Sequence, residues 1–170
     1  VYKISAYGTF PMDLLRPVAK RKNPQSRMNL EVRLDNGNLA ILPTLLVAAG
    51  SDVYALPLAR VVEVLHAPAA ALRWFDGRQI LDRRHTTLPL VDLRHWLGVE
   101  RPTTTLLTVV LLQVGEARFG LVVDQVIGRE EVVIKPLPKV LRGLPGYAGA
   151  TLIGDGRMAL ILDVDGLRNS

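Results

Sequence analysis

The sequence has no cysteine, no long apolar run and few aromatic residues, and each of these features argues against a class of protein. Without cysteine, its 170 residues form neither disulfide bonds nor thiolate metal sites. No segment reaches the ~18 consecutive apolar residues that a membrane-spanning helix needs. Aromatic residues make up 5% of the chain, fewer than we expect of a barrel that stacks nucleic-acid bases. Apolar residues nevertheless make up 49%, which is ample for a hydrophobic core.

The net charge of +5 is concentrated at the start of the chain. Residues 1–30 carry six basic residues and one acidic residue, whereas residues 41–170 carry 14 basic and 13 acidic residues. Several prolines interrupt the first segment, and proline breaks helices. We therefore expect residues 1–38 to be a basic linker, or an arm foreign to the domain that follows. Within it, residues 28–34 alternate apolar and polar positions like a half-buried strand.

From about residue 39 the sequence changes to short apolar runs bounded by glycine, proline or aspartate, a pattern typical of β-strands. The candidate strands are 41–48, 53–58, 61–66, 79–82, 87–93, 104–113, 118–123, 131–135, 150–153 and 158–164. Helix signals are scarce, and the candidate turns of helix are 92–97, 136–144 and 163–167. Asp-Gly pairs at 76–77 and 155–156 predict tight hairpin turns. The pattern therefore predicts an all-β fold of small barrels with little helix.

An internal repeat divides this β-rich region into two similar parts. Residues 54–62 align with 119–127, 76–78 with 155–157, and 90–93 with 161–164. The offsets differ because loop lengths differ, but the order of the three matches is kept. Two copies of one β motif within roughly 130 residues predict two similar barrels packed together.

No group of residues matches a known catalytic or metal-binding pattern. His66, His85 and His95 are separated by 19 and 10 positions, unlike the close pairs of helical zinc sites. No serine lies in a Gly-x-Ser-x-Gly nucleophile elbow. The sequence therefore predicts no catalytic residue, no cofactor and no metal site.

Two further groups have structural interpretations. Gly143, Gly146 and Gly149 lack the lysine and hydroxyl residue of a phosphate-binding loop, so we expect a tight loop before a strand. Asp163 occupies the position of Asp92 in the other repeat copy. This equivalence predicts a turn or cap role for both carboxylates.

One aromatic cluster is the basis of a competing interpretation. Trp74 and Phe75 lie beside Arg73 and Arg78, and we expect this cluster to cap one end of a barrel. The alternative, suggested by the isoelectric point of about 9.9, is a β-barrel that binds nucleic acid through this cluster and the basic arm.

A partner-binding surface is predicted at the third apolar run. The strand at 53–58 fills an interior face with its alternate side chains, so the valine-rich run at 61–65 exceeds what that face accepts. Val62 or one of its neighbours is therefore expected to face outward, as the apolar centre of a patch with a polar rim. The alternative is that Val62 packs beneath a loop. The predicted partner-binding residues are Arg60, Val62, Glu63 and Val64.

Two long segments carry a resemblance to a known family. Residues 119–137, FGLVVDQVIGREEVVIKPL, and 145–164, PGYAGATLIGDGRMALILDV, resemble the CheW-like regulatory domain at the C-terminus of the chemotaxis histidine kinase CheA. The junction at 39–47 and the motifs at 54–58 and 88–93 also fit. The resemblance covers about residues 39–167, and residues 1–38 depart from it because the ATP-binding domain expected there is absent.

The resemblance implies a fold and a function. The fold is a domain at 39–170 of two SH3-like five-stranded β-barrel subdomains packed side by side, at about 44–100 and 104–167, with exchange of strands between them left open. The function is a non-catalytic scaffold that couples a histidine kinase to the CheW adaptor and to the cytoplasmic tips of chemoreceptors. Other domains of the parent kinase are further partners, whereas nucleic acid and direct membrane insertion are not expected. The implied location is cytoplasmic, at membrane receptor arrays, and the alternative is a stand-alone CheW-type adaptor.

Overall fold

The computed structural model describes residues 40–137, 139–154 and 156–169, together with the backbone of two short strands near the start. These two, β1 (Tyr2–Ser5) and β2 (Gly8–Pro11), pair in antiparallel fashion. The predicted strand at 28–34 and the first residue of the predicted turn at 155–156 lie outside the described residues.

Short strands make up most of the described domain. They are β3 (Ile41–Ala49), β4 (Asp52–Pro57), β5 (Val61–Pro68), β6 (Leu72–Phe75), β7 (Arg78–Arg83), β8 (Thr86–Asp92), β9 (Leu106–Val114), β10 (Ala117–Val123), β11 (Gln125–Val133), β12 (Tyr147–Leu152) and β13 (Met158–Leu162). The two short α-helices are α1 (Leu93–Leu97) and α2 (Val164–Arg168). Single 3-10 turns occur at Leu58–Arg60, Ala69–Ala71 and Lys139–Leu141.

The strands form two sheets that each draw on both halves of the chain. The five-stranded sheet has the order β11-β3-β4-β13-β12, and the six-stranded sheet has the order β5-β9-β10-β8-β7-β6. The first hairpin, β3–β4, thus lies among the last strands, and the later hairpin, β9–β10, lies among the earlier strands. The predicted all-β fold with two SH3-like subdomains is confirmed, but one of the two sheets has six strands instead of the predicted five, because the β6–β7 hairpin adds a strand at its edge. The predicted limits of the subdomains, about 44–100 and 104–167, stay a prediction.

The strand register agrees with the repeat found in the sequence. Ala55 of β4 pairs in parallel with Ile161 of β13, and Gly120 of β10 pairs in parallel with Leu90 of β8. The repeat aligns Ala55 with Gly120 and Ile161 with Leu90. The two sheets therefore use equivalent residues at equivalent positions, although those residues are far apart in sequence.

The core has three parts because the central strands are buried on both faces. In β9, Val109 and Leu111 pack inside the six-stranded sheet, whereas Val110 and Leu112 pack in a larger cluster that both sheets share. A third cluster, which includes Ala55, fills the five-stranded sheet. Successive side chains of a strand point to opposite faces, so strands with two buried faces are apolar at nearly every position.

The structure departs from the sequence expectations at a few elements. Strand β6 was not predicted. Strand β11 begins at Gln125, whereas the prediction began at residue 131, because the exposed polar side chains in the first part of β11 break the apolar pattern. The stretch 136–144 forms only the 3-10 turn Lys139–Leu141, since Pro136 and Gly143 bound it. The predicted hairpin at 76–77 is confirmed, with both central residues at positive φ (50° and 74°), as the tightest hairpin turns require.

Candidate partner-docking surface

The predicted contact surface lies on β5, an outer strand of the six-stranded sheet. Val62 and Val64 are 40% and 39% exposed, large values for valine in a strand. The pairing of β5 with β9 shifts register between Val61 and Glu63, so Val62 is the extra residue of a β-bulge. A bulged residue has no partner on the neighbouring strand, and this explains why Val62 faces solvent instead of packing beneath a loop.

Ion pairs surround the two exposed valines. Glu63 Oε1 lies 3.3 Å from Arg83 Nη2 at the β7–β8 turn. Arg60 Nη2, in the 3-10 turn before β5, lies 3.7 Å from Asp165 Oδ2 of α2. Exposed pairs of this kind add little stability, but they give the apolar centre a polar rim. The structure therefore places the four predicted residues in one continuous stretch, the 3-10 turn Leu58–Arg60 and the start of β5.

A second exposed apolar residue occupies the equivalent place in the other repeat copy. Ile127 of β11 is 49% exposed, and the pairing of β11 with β3 shifts register between Val126 and Gly128. The repeat offset of 65 residues aligns Val62 with Ile127, so the same bulge recurs at the outer strand of the five-stranded sheet. We did not predict Ile127 as a site residue, although the repeat alignment contained the necessary signal.

A carboxylate joins the two sheets where the chain crosses between them. Asp124 separates β10 from β11 and accepts hydrogen bonds from the Gly50 backbone N–H (2.7 Å) and from Arg94 Nε and Nη2 (2.8 and 2.7 Å). Burial alone raises the pKa of the Asp124 carboxyl, but these hydrogen bonds and the charges of Arg94 and Arg101 outweigh it, so the pKa lies below its usual range. Gly50 lies in the turn between β3 and β4 of the five-stranded sheet, and Arg94 lies in α1, directly after β8 of the six-stranded sheet. The ionised Asp124 therefore links the two sheets.

The capping predictions for the two aspartates have different outcomes. Asp92 is the N-cap of α1, and its Oδ1 accepts a hydrogen bond from the Arg94 backbone N–H at 3.0 Å. Asp163 stands at the N-cap position of α2 but makes no side-chain capping bond. The predicted cap role is therefore confirmed for Asp92. Asp163 lies at the equivalent position before α2, but its side chain does not cap that helix.

The glycine-rich stretch forms the tight loop that we expected. Gly143 and Gly146 adopt positive φ of 80° and 98° just before β12. A side chain at Gly146 would also collide with the Trp96 ring, which packs on Tyr147 with ring centroids 5.2 Å apart. Gly143 and Gly146 thus serve a turn and a close contact, whereas Gly149, the third glycine of the prediction, lies within β12 and not in the loop.

The expectation that the aromatic cluster caps a barrel end is wrong. Trp74 and Phe75 are 69% and 70% exposed, because they lie at the tip of the β6–β7 hairpin, on opposite faces of a strand that extends beyond the core. Arg73 beside them is paired with Asp82, Nε to Oδ2 at 2.7 Å.

Within the part of the chain that the structure describes, no set of three or more histidine and carboxylate residues lies close enough to hold a metal ion. The helices described there are too short to cross a bilayer.

Comparison with known proteins gives one consistent result. A family model described as "CheW-like domain" matches residues 43–170. The chain belongs to the CheW-like domain family. "Chemotaxis protein CheA" of Treponema pallidum is 36% identical over 129 residues, covering 74% of this chain and 16% of that protein. "Chemotaxis protein CheA" of Klebsiella aerogenes is 41% identical over 133 residues, covering 76% and 20%.

A solved structure supports the fold independently of the CheA sequences. The "scaffolding protein TtCheW" of Thermoanaerobacter tengcongensis superposes with a TM-score of 0.63 at 18% identity, covering 74% of this chain and 90% of that one. By contrast, the chain spans only 16% and 20% of the length of the two CheA proteins named above. A CheW-like domain is itself non-catalytic, which agrees with the sequence analysis.

Proposed function

We propose that this chain is the regulatory domain of a chemotaxis histidine kinase. In this role it couples the kinase to a CheW adaptor and to the cytoplasmic tips of chemoreceptors in membrane-associated arrays. The observation that carries the proposal is the match of residues 43–170 to the CheW-like domain together with identities of 36–41% to CheA proteins. Phosphoryl transfer then belongs to other domains of the parent protein, and this domain acts by docking.

Docking on the β5 surface has physical support. Protein interfaces combine a well-packed apolar centre with a polar rim, and Val62 and Val64 with the pairs of Arg60 and Glu63 have this arrangement. An outer strand also presents backbone groups that a partner can approach. We therefore assign partner binding to Arg60, Val62, Glu63 and Val64, in the first of the two proposed subdomains.

The experiment is a titration of the purified chain with the CheW adaptor of the same organism. We expect saturable binding, and we expect Val62→Arg to weaken it by about 1–3 kcal/mol, the range for loss of a contact near an interface centre. Because Val62 is outside the core, the thermal midpoint should stay close to that of the parent chain.

A matched control is Ile41→Arg, which places the same charge on another exposed β-branched residue, at the start of β3. It should leave binding unchanged. The assignment to β5 is wrong if Val62→Arg binds like the parent, or if both variants weaken binding equally. Absence of binding by the folded parent chain at high micromolar concentration would contradict the proposed function itself.

A stand-alone CheW-type adaptor is the second candidate within the same class. It is favoured by the superposition on a CheW structure, of which this chain covers 90%. The sequence of the full gene distinguishes the two candidates. An ATP-binding kinase domain encoded upstream of residue 39 identifies a kinase, and its absence from the full gene identifies an adaptor.

A further inference from the structure

The two halves of the domain are interlaced, and one short linker joins them. The first half runs from β3 to α1 and the second from β9 to α2. Four strand pairings join one half to the other: β3 with β11, β4 with β13, β5 with β9, and β8 with β10. Neither sheet is complete without strands from both halves. The only covalent connection between them is residues 98–105, which contain no strand or helix.

Two arginines hold this linker against α1. Arg101 Nε and Nη2 lie 2.5 and 2.6 Å from the two carboxylate oxygens of Asp92. Arg94 Nη1 donates a hydrogen bond to the Glu100 carbonyl at 2.6 Å. A two-point arginine–carboxylate pair is among the stronger polar contacts, and the side chains of Arg101 and Asp92 are 22% and 12% exposed. We call these contacts the linker clamp.

An interlaced fold with a single linker has two ways to satisfy the same contacts. The linker can fold back, so that the halves of one chain pair with each other. It can also open, so that each half pairs with the complementary half of a second copy. All four pairings form in both arrangements, so exchange of identical elements costs little. The difference in free energy then depends on the linker and on the entropy of association.

We propose that the linker clamp holds this chain in the closed monomer, and that releasing the clamp lets two copies exchange halves into a dimer. The clamp forms only when the linker folds back on α1, because opening carries residues 100 and 101 away from it. The contact between Arg94 and Asp124, by contrast, joins the first half to the second and forms in both arrangements. The proposal does not depend on any partner protein.

The test variant is Arg101→Gln, which removes the pair with Asp92 and leaves the four strand pairings between the halves and the hydrogen bonds of Arg94 to Asp124 in place. After refolding at high protein concentration, size-exclusion chromatography with light scattering should show a monomeric parent and a partly dimeric variant. Two clamps are lost per dimer, so we expect the dimerisation constant to rise roughly 10- to 100-fold, or about 1.4–2.8 kcal/mol. Arg101→Lys, which keeps the charge but not the two-point geometry, should give an intermediate value.

A disulfide distinguishes exchange from ordinary association. His66 of β5 pairs with Thr108 of β9, and their side chains lie 3.3 Å apart across the two halves. Because the chain has no cysteine, His66→Cys with Thr108→Cys creates one defined disulfide. In an exchanged dimer this bond joins two chains, and a non-reducing gel shows a covalent dimer. In an ordinary dimer the bond stays within each chain, and the gel shows monomers.

The control is Asp124→Asn, which weakens a contact that both arrangements share. It should lower stability without raising the dimer fraction. The proposal is overturned if Arg101→Gln remains monomeric, if its dimer gives only intramolecular disulfides, or if Asp124→Asn dimerises to the same extent. A parent chain that is already an exchanged dimer would also overturn it.

Discussion

Gly120 lies in a closely packed part of the core, where one added methyl group tests how rigid the packing is. A Cβ at this position would lie 2.6 Å from Leu90 Cδ2 and 2.6 Å from Val109 Cγ1, with Leu88 at 3.2 Å. Favourable carbon contacts need about 3.5–4.0 Å. All three neighbours are buried in the same cluster, so none can move without displacing another.

The expected cost of Gly120→Ala follows from two opposing effects. Extra volume in a packed core costs about 1–3 kcal/mol, whereas replacing glycine by alanine lowers the entropy of the unfolded chain and stabilises by about 0.4–1 kcal/mol. We therefore expect the free energy of unfolding to fall by roughly 1–2 kcal/mol, and the thermal midpoint by about 3–8 °C.

Urea unfolding monitored by circular dichroism measures this difference, and Gly154→Ala is the control. Gly154 lies in an exposed turn, where an added Cβ would meet only the Glu130 side chain at 3.4 Å, so its effect should stay within about 0.5 kcal/mol. An unchanged or higher stability of Gly120→Ala would refute the reasoning, because it would show that Leu90 and Val109 repack without strain.

Two further predictions concern the second bulge and the carboxylate between the sheets. Ile127→Arg should leave the thermal midpoint nearly unchanged, and if Ile127 serves as a second docking position, titration with CheW should show weaker binding. A large loss of stability would instead mean that the Ile127 side chain is packed in the fold. Asp124→Asn should lower stability at neutral pH by about 1–3 kcal/mol. Since folding lowers the pKa of Asp124, its contribution is complete above the unfolded value of about 3.9 and is lost as pH falls below it. The parent should therefore lose more stability than the variant between about pH 5 and pH 3 in urea titrations, and equal losses would contradict the assignment.

The sequence predicted the strands better than their arrangement. Apolar runs bounded by turn residues located most strands, since the central ones are buried on both faces and read as apolar throughout. The order of the strands in each sheet could not be predicted, because alternation within a strand indicates which faces are buried but not which strand lies beside it. Hairpin β3–β4 lies among the last strands, and hairpin β9–β10 lies among the earlier ones. This arrangement depends on pairings between residues that are distant in sequence, such as Gly120 with Leu90. The repeat indicated equivalence of the halves without showing that they interlace.

The prediction that Val62 is exposed was correct, but its physical basis was incomplete. We argued that the valine-rich run held more apolar side chains than one interior face accepts, and this argument applies equally to Val61, which is partly buried. The bulge decides between them, since the extra residue at Val62 is the one without a cross-strand partner. The same displacement at Ile127 is not explained by a long apolar run, because Val126 is its only apolar neighbour and Gln125, Gly128 and Arg129 surround the pair. A recurring bulge at equivalent outer strands is therefore the better explanation of both exposed residues, and it ties each candidate docking position to the backbone geometry of its own sheet.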